Sequence, residues 1–194
     1  MAQQNLQETL YADILPIARR ISATDRYAIT IGGSRGKGVA DMRSDYDFRI
    51  YYETRVHDSL WNAIMEDLER CMRKWREQGI EIDGIWPRSI DEIDRELDLW
   101  LSGNGSVTPI IWSVWGYHLL TDIYNQAIVE DPCGIAQAWK ERLSRYPDAL
   151  RDSIIERHGA SLRYWRNDFI TSIINRCGAI MCSWRPSLPG WSMI

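Results

Sequence analysis

The stretch ITIGGSRGKGVADMRSDYDFRIYY, residues 29–52, restricts what this chain can fold into more than any other part of it. Tyr27–Ile31 is a short run of strong β formers, and Gly32-Gly33 halts it. DFRIYY, residues 47–52, is a second run of the same kind. Side chains alternate across a strand, so Asp45 and Asp47 project from one face while Tyr46 and Phe48 point the other way, into a core. Residues 35–44, ten in number, separate Ser34 from Asp45. A glycine turn and two carboxylates are therefore tied to the same end of a small sheet.

The surrounding periodicities build an α/β (α+β) frame on those two strands. Leu6, Leu10, Ile14, Ile17, Ala18 and Ile21 form a helical stripe over residues 3–23, with Pro16 expected to kink or divide it. From Asp58 to Gln78, Trp61, Ile64, Met65, Leu68, Cys71, Met72 and Trp75 recur at three and four, with Asp58 or Ser59 as the cap and Gly79 as the stop. A third strand is predicted over Ile80–Trp86, ended by Pro87. A helix opened by a Ser89/Glu92 capping box follows it. Past the GNG turn at 103–105 the pattern is helical alone, over roughly 109–129, 134–145, 147–158 and 161–177. The expectation is a small mixed-sheet head over residues 1–105 with flanking helices, then an all-helical segment over 106–194. Leu162, Trp165, Phe169, Ile173 and Ile174 make a late stripe that wants a partner, either the chain's own helices or a homodimer. The tail SWRPSLPGWSMI continues no period and reads as a shortened end.

Composition excludes several classes. The formal net charge is −4 over 194 residues, and no basic arm is visible. Gripping a phosphate backbone calls for a basic face, so nucleic acid is not the expected partner, whereas a cationic acceptor suits the charge. Cys71, Cys133, Cys177 and Cys182 form no C-x-x-C pair, and His57, His118 and His158 lie far apart. Neither a zinc site nor a disulfide framework is expected. No apolar run approaches about 18 residues, the length a membrane span needs. MAQQNLQETLYAD lacks the basic-then-apolar pattern of a signal peptide, so the cytoplasm is the expected compartment.

The chemistry centres on paired carboxylates beside a glycine turn. Two neighbouring carboxylates repel unless a cation lies between them, and Mg²⁺ prefers oxygen ligands while leaving positions for substrate phosphates. Gly32 and Gly33 permit close approach of a phosphate, Ser34 adds a hydroxyl, and Arg35 and Lys37 add positive charge for a leaving pyrophosphate. Asp83 on the third strand is the expected third carboxylate, with Glu81 two residues earlier as the alternative. Three carboxylates can hold one or two ions, and Asp83 can also take a hydroxyl proton. The stretch is neither a P-loop, since no Ser or Thr follows Lys37, nor an EF-hand, since Arg49 stands where an oxygen ligand is needed. Arg88 could reach a phosphate. His118 reads as a core histidine, and Asp91, Glu92, Asp94, Glu96 and Asp98 read as a solvated helix face.

GGSRG followed by SDYDF resembles the signature of the nucleotidyltransferase (DNA polymerase β-like) superfamily, G-G/S, a spacer of about ten residues, then D-h-D/E. The fuller string GGSRGKGVADMRSDYDFRIYY most resembles the bacterial branch that includes aminoglycoside-type nucleotidyltransferases and their uncharacterised relatives, and the resemblance covers about residues 27–165. The resemblance implies metal ligation by Asp45, Asp47 and Asp83 and a triphosphate held at Gly33 and Ser34. It implies transfer of a nucleoside monophosphate from a nucleoside triphosphate, with ATP as the expected donor, to the hydroxyl of a small molecule such as an antibiotic. An RNA end, a partner protein, or simple nucleotide binding without turnover are the alternatives. Relatives often carry a small or apolar residue where Arg49 stands, and their helical part usually runs beyond residue 194.

Overall fold

A computed structural model describes residues 2–105, 118–156, 159, 163 and 164 of the chain. Within them the fold is mixed α/β, of the α+β kind. Helix α1 (Ala2–Ala18) leads through a 3₁₀ turn (Arg19–Ile21) to β1 (Tyr27–Ile31), and a single helical turn, α2 (Gly33–Gly36), precedes β2 (Tyr46–Tyr52). Then come α3 (Asp58–Glu77), β3 (Ile82–Ser89), α4 (Ile90–Leu101), α5 (His118–Asn125), β4 (Ala127–Glu130) and α6 (Ile135–Arg142). The sheet order is β3-β2-β1-β4. β1 is antiparallel to both β2 and β4, and β2 is parallel to β3, which α3 makes possible by carrying the chain back across the sheet.

Alternation along β1 and β2 sorts residues onto two faces. Ile29, Ile31, Phe48 and Ile50 meet Leu10 and Ile14 of α1 and Ile64, Leu68 and Trp75 of α3 in the apolar core. Trp75 closes its only polar group by donating Nε1–H to Asp13 Oδ2 at 3.0 Å. The opposite face carries Ala28, Thr30, Asp47, Arg49 and Tyr51. Tyr51 meets Trp139 of α6 edge to face, centroids 4.8 Å apart.

Several local expectations are corrected. Pro16 does not divide the first helix, which runs to Ala18 and tightens into the 3₁₀ turn. α3 takes His57 as its N-cap residue, and neither His57 nor Ser89 makes a side-chain cap bond. Ser89 is also the last residue of β3, paired with Tyr52, so strand and helix meet without a linker. β3 runs through Pro87. It is an edge strand, where a missing N–H can face away from the ladder. The helix predicted over 109–129 ends at Asn125 within its described part, and Ala127–Glu130 instead becomes the edge strand β4 on β1. Ile128 and Val129 are β-branched, and the open edge of β1 supplies the partner that a periodicity cannot reveal.

Two compact units divide the chain, residues 1–147 and 148–194. In the second, residues 148–156 are helical, with Arg151 paired to Asp148 and Asp152. The stripe from Leu162 to Ile174 lies outside the described residues apart from Arg163 and Tyr164. Among the described residues no helix is long and apolar enough to cross a membrane.

Candidate functional site

The turn after β1 is built as its glycines require. Gly32 stays in the sheet's hydrogen bonding, donating its N–H to Asp47 O at 2.9 Å, and Gly33 turns with φ of 59° into α2. That φ suits glycine. A Cβ on Gly33 would lie 2.1 Å from Asp47 Oδ2, so the turn and the carboxylate are packed to the limit that only glycine allows. Gly36 is equally confined, a Cβ there falling 2.6 Å from Ile31 O and 2.8 Å from Asn125 O. The first N–H groups of a helical turn have no intrahelical acceptor, and Gly33, which opens this one, packs against Asp47 Oδ2.

Asp45, Asp47 and Asp83 converge: each offers a carboxylate oxygen, and the three lie within 4.8 Å of one another. Asp45 and Asp47 are half-buried and Asp83 is exposed. Asp83 arrives by a device that simple alternation does not anticipate. Tyr46 pairs with Ile82, but Asp47 pairs with Gly84, so Asp83 is the extra residue of a β-bulge, which re-aims a side chain. Glu81 is directed elsewhere: its carboxylate takes Arg76 Nε at 3.3 Å. Gly84, opposite Asp47, leaves room that the half-exposed Trp86 indole occupies, its Nε1 2.5 Å from where a Cβ would stand.

Arg35 does not face outward toward a phosphate. It donates Nε–H to Asp45 O at 2.7 Å and a second bond to Ser44 O, with its guanidinium 3.7 Å above the Tyr46 ring. It thereby fixes the chain that presents Asp45. Lys37 is exposed, one residue past α2. Asp94 and Asp98 of the acidic α4 face pair with Arg142 of α6, and Asp94 also accepts Trp139 Nε1–H at 2.7 Å. Two of the five acidic residues of that cluster thus hold α4 to α6. His118 is the first described residue of α5, and its side chain lies outside what is described.

Beneath the triad lies a polar layer that periodicity alone did not single out. Arg49, buried on β2, bonds Asp122 of α5 through Nε at 3.2 Å and sits 3.7 Å from Asp47 Oδ1 through Nη1. Gln126 then joins Asp122, Tyr51 and Thr30, the last at 2.6 Å. Asp122 carries no sequence signal, being one acidic residue in an apolar helix. Arg49 stood out in the sequence as a charge in the middle of a strand, but nothing there named its partner. Burial pushes the Asp47 carboxyl above its ordinary value; Arg49 pulls it back, while Asp45, Asp83 and Asp122 add to the rise. Burial likewise pushes the Tyr51 hydroxyl up to about 12.

The donor set suits a hard divalent cation. It is all oxygen and clustered, and its central carboxylate is held ionisable against burial by a guanidinium. The sequence matches no protein-family model and no curated protein, so the reading of this site stands on its geometry.

Proposed function

We propose that this chain is a cytoplasmic Mg²⁺-dependent nucleotidyltransferase. It moves a nucleoside monophosphate from a nucleoside triphosphate, ATP as the expected donor, to a hydroxyl of a small acceptor molecule. The observation carrying this reading is the convergence of Asp45, Asp47 and Asp83 beside a turn where only glycine fits.

Mg²⁺ held by the three aspartates would supply charge neutralisation for the triphosphate. The protein's own part is positioning. Gly32, Gly33 and Ser34 cradle the phosphate tail at the end of β1, and Arg35 keeps Asp45 in place from behind. Asp83, the carboxylate open to solvent, receives the proton of the attacking hydroxyl. An acceptor oxygen forms a bond to the α-phosphorus as the bond to the bridging oxygen breaks, and pyrophosphate leaves. Holding both reactants in line provides most of the acceleration in such transfers. The net charge of −4 favours a neutral or cationic acceptor over an RNA end.

The test is incubation with each labelled triphosphate, Mg²⁺ and a panel of hydroxylated small molecules and RNA, with mass spectrometry of the products. A nucleoside monophosphate adduct on one acceptor, with pyrophosphate released, is expected. No adduct on any acceptor, together with no Mg²⁺-dependent nucleotide binding, would overturn the reading.

A further inference from the structure

Arg49 takes no part in the transfer proposed above, and its pairing with Asp122 leaves one of its donors unused. It is 8% exposed, in the middle of β2, and a buried guanidinium ordinarily has its donors satisfied. Its Nε bonds Asp122 at 3.2 Å. Its Nη1 is buried and makes no hydrogen bond. That atom is turned toward Asp47, with Oδ1 3.7 Å away, which is near enough for charge attraction and too far for a hydrogen bond. If Arg49 served only as the counter-charge of Asp122, this orientation would have no reason.

Asp47 therefore has two unlike oxygens. Oδ2 packs against Gly33 at the phosphate turn, and Oδ1 looks toward the guanidinium. A divalent ion bound near Oδ1 would stand within a few ångströms of a permanently charged group in a poorly screened interior, where like charges repel strongly. An ion on the Gly33 side is shielded from that repulsion by the carboxylate itself.

We propose that Arg49 is a resident counter-cation, and that without nucleotide the site takes one divalent ion rather than two. That ion is held by Asp45, Asp47 and Asp83. The inference rests on the metal-binding part of the function proposed above. It assigns Arg49 a positioning role: the guanidinium neutralises Asp47 without capturing it, and decides how many ions the triad accepts before substrate arrives.

Mn²⁺ alone is the probe, titrated into the full chain without nucleotide, with free Mn²⁺ counted by electron paramagnetic resonance. Wild type should bind one ion at the triad, the one lost in Asp45→Asn. Arg49→Met alone would strand Asp122, so it is paired with Asp122→Asn; this double variant should bind two. Arg49→Lys keeps the charge and should still bind one. Two triad ions in wild type, one in the double variant, or two in Arg49→Lys would each overturn the inference. These outcomes leave the transferase reading standing. Wild type that binds no Mn²⁺ at all would overturn the metal reading and this inference together.

Discussion

The two faces of one small sheet obey different rules. On the α1/α3 side, Ile29, Ile31, Phe48, Ile50, Ile64 and Leu68 meet in a wholly apolar layer. On the other side the same strands present Thr30, Arg49 and Tyr51, tied to Asp122 and Gln126 by charge and hydrogen bonds, and Asp47, which faces Arg49. The first face needs volume and apolarity, and many side chains would satisfy it. Each group on the second face needs a particular partner, because a buried polar atom without one is costly. The catalytic chemistry we propose sits on the demanding face, while the forgiving face supplies the stability to carry it.

That contrast can be broken from either side. Asp47→Ala should reduce Mg²⁺-dependent transfer by about a thousandfold, on the scale of losing a preorganised electrostatic group. Its melting temperature without metal should hold or rise, since a carboxyl kept partly buried among other carboxylates is removed. A variant that melts early would mean Asp47 belongs to the core in function as well as in place. Phe48→Ala, one residue along on the other face, should do the reverse. It should cost about 3–5 kcal/mol in denaturant unfolding, with the turnover of the remaining folded protein little changed.

Gly33→Ala sharpens the comparison, because one methyl group touches both stability and site. Its Cβ would meet Asp47 Oδ2 at 2.1 Å in a backbone conformation that alanine disfavours. About 1–2 kcal/mol of stability should be lost, with Mg²⁺ affinity measured by calorimetry falling alongside. Unchanged affinity would show that Asp47 can move aside freely. Thr30→Val is smaller still. It removes the hydroxyl that donates to Gln126 and should cost about 1 kcal/mol.

The smallest effect lies at the far edge of the sheet, where Arg19 bonds Glu130 and holds its carboxyl below the ordinary value. A lowered folded-state pKa means that the stabilisation is present above the unfolded-state value and is lost as pH falls through the folded one. Glu130→Gln should therefore narrow the stability difference between neutral and acid pH, by no more than about 1 kcal/mol. A difference that widens would reverse the sign.

Much of this was legible beforehand, and the reasons are local. β1, α2's turn and β2 follow from Gly32-Gly33 and the alternation of DFRIYY. α3 follows from its three-and-four spacing, since a helix that long exposes its period fully. Asp83 over Glu81 was a choice between two residues on one predicted face, and the β-bulge brings Asp83 to the triad while Glu81 pairs with Arg76. Gly84 was the available hint, since glycine within a strand often marks a bulge. β4 was not legible: four residues are too few to distinguish from the end of a helix.

The sequence by itself determined the turn, the spacing that carries Asp45 and Asp47 to one end of β2, and the apolar stripes that make one face a core. These are properties of neighbours in the chain, where backbone geometry converts spacing directly into direction. Only the tertiary structure decided that Arg35 would fasten Asp45 from behind, that β4 would complete the sheet, and that Asp122, 73 positions beyond Arg49, would meet it under the triad. Such pairings depend on which helix packs on which face. A buried charge then takes whatever partner the packing brings within reach, and its residue type alone cannot name that partner.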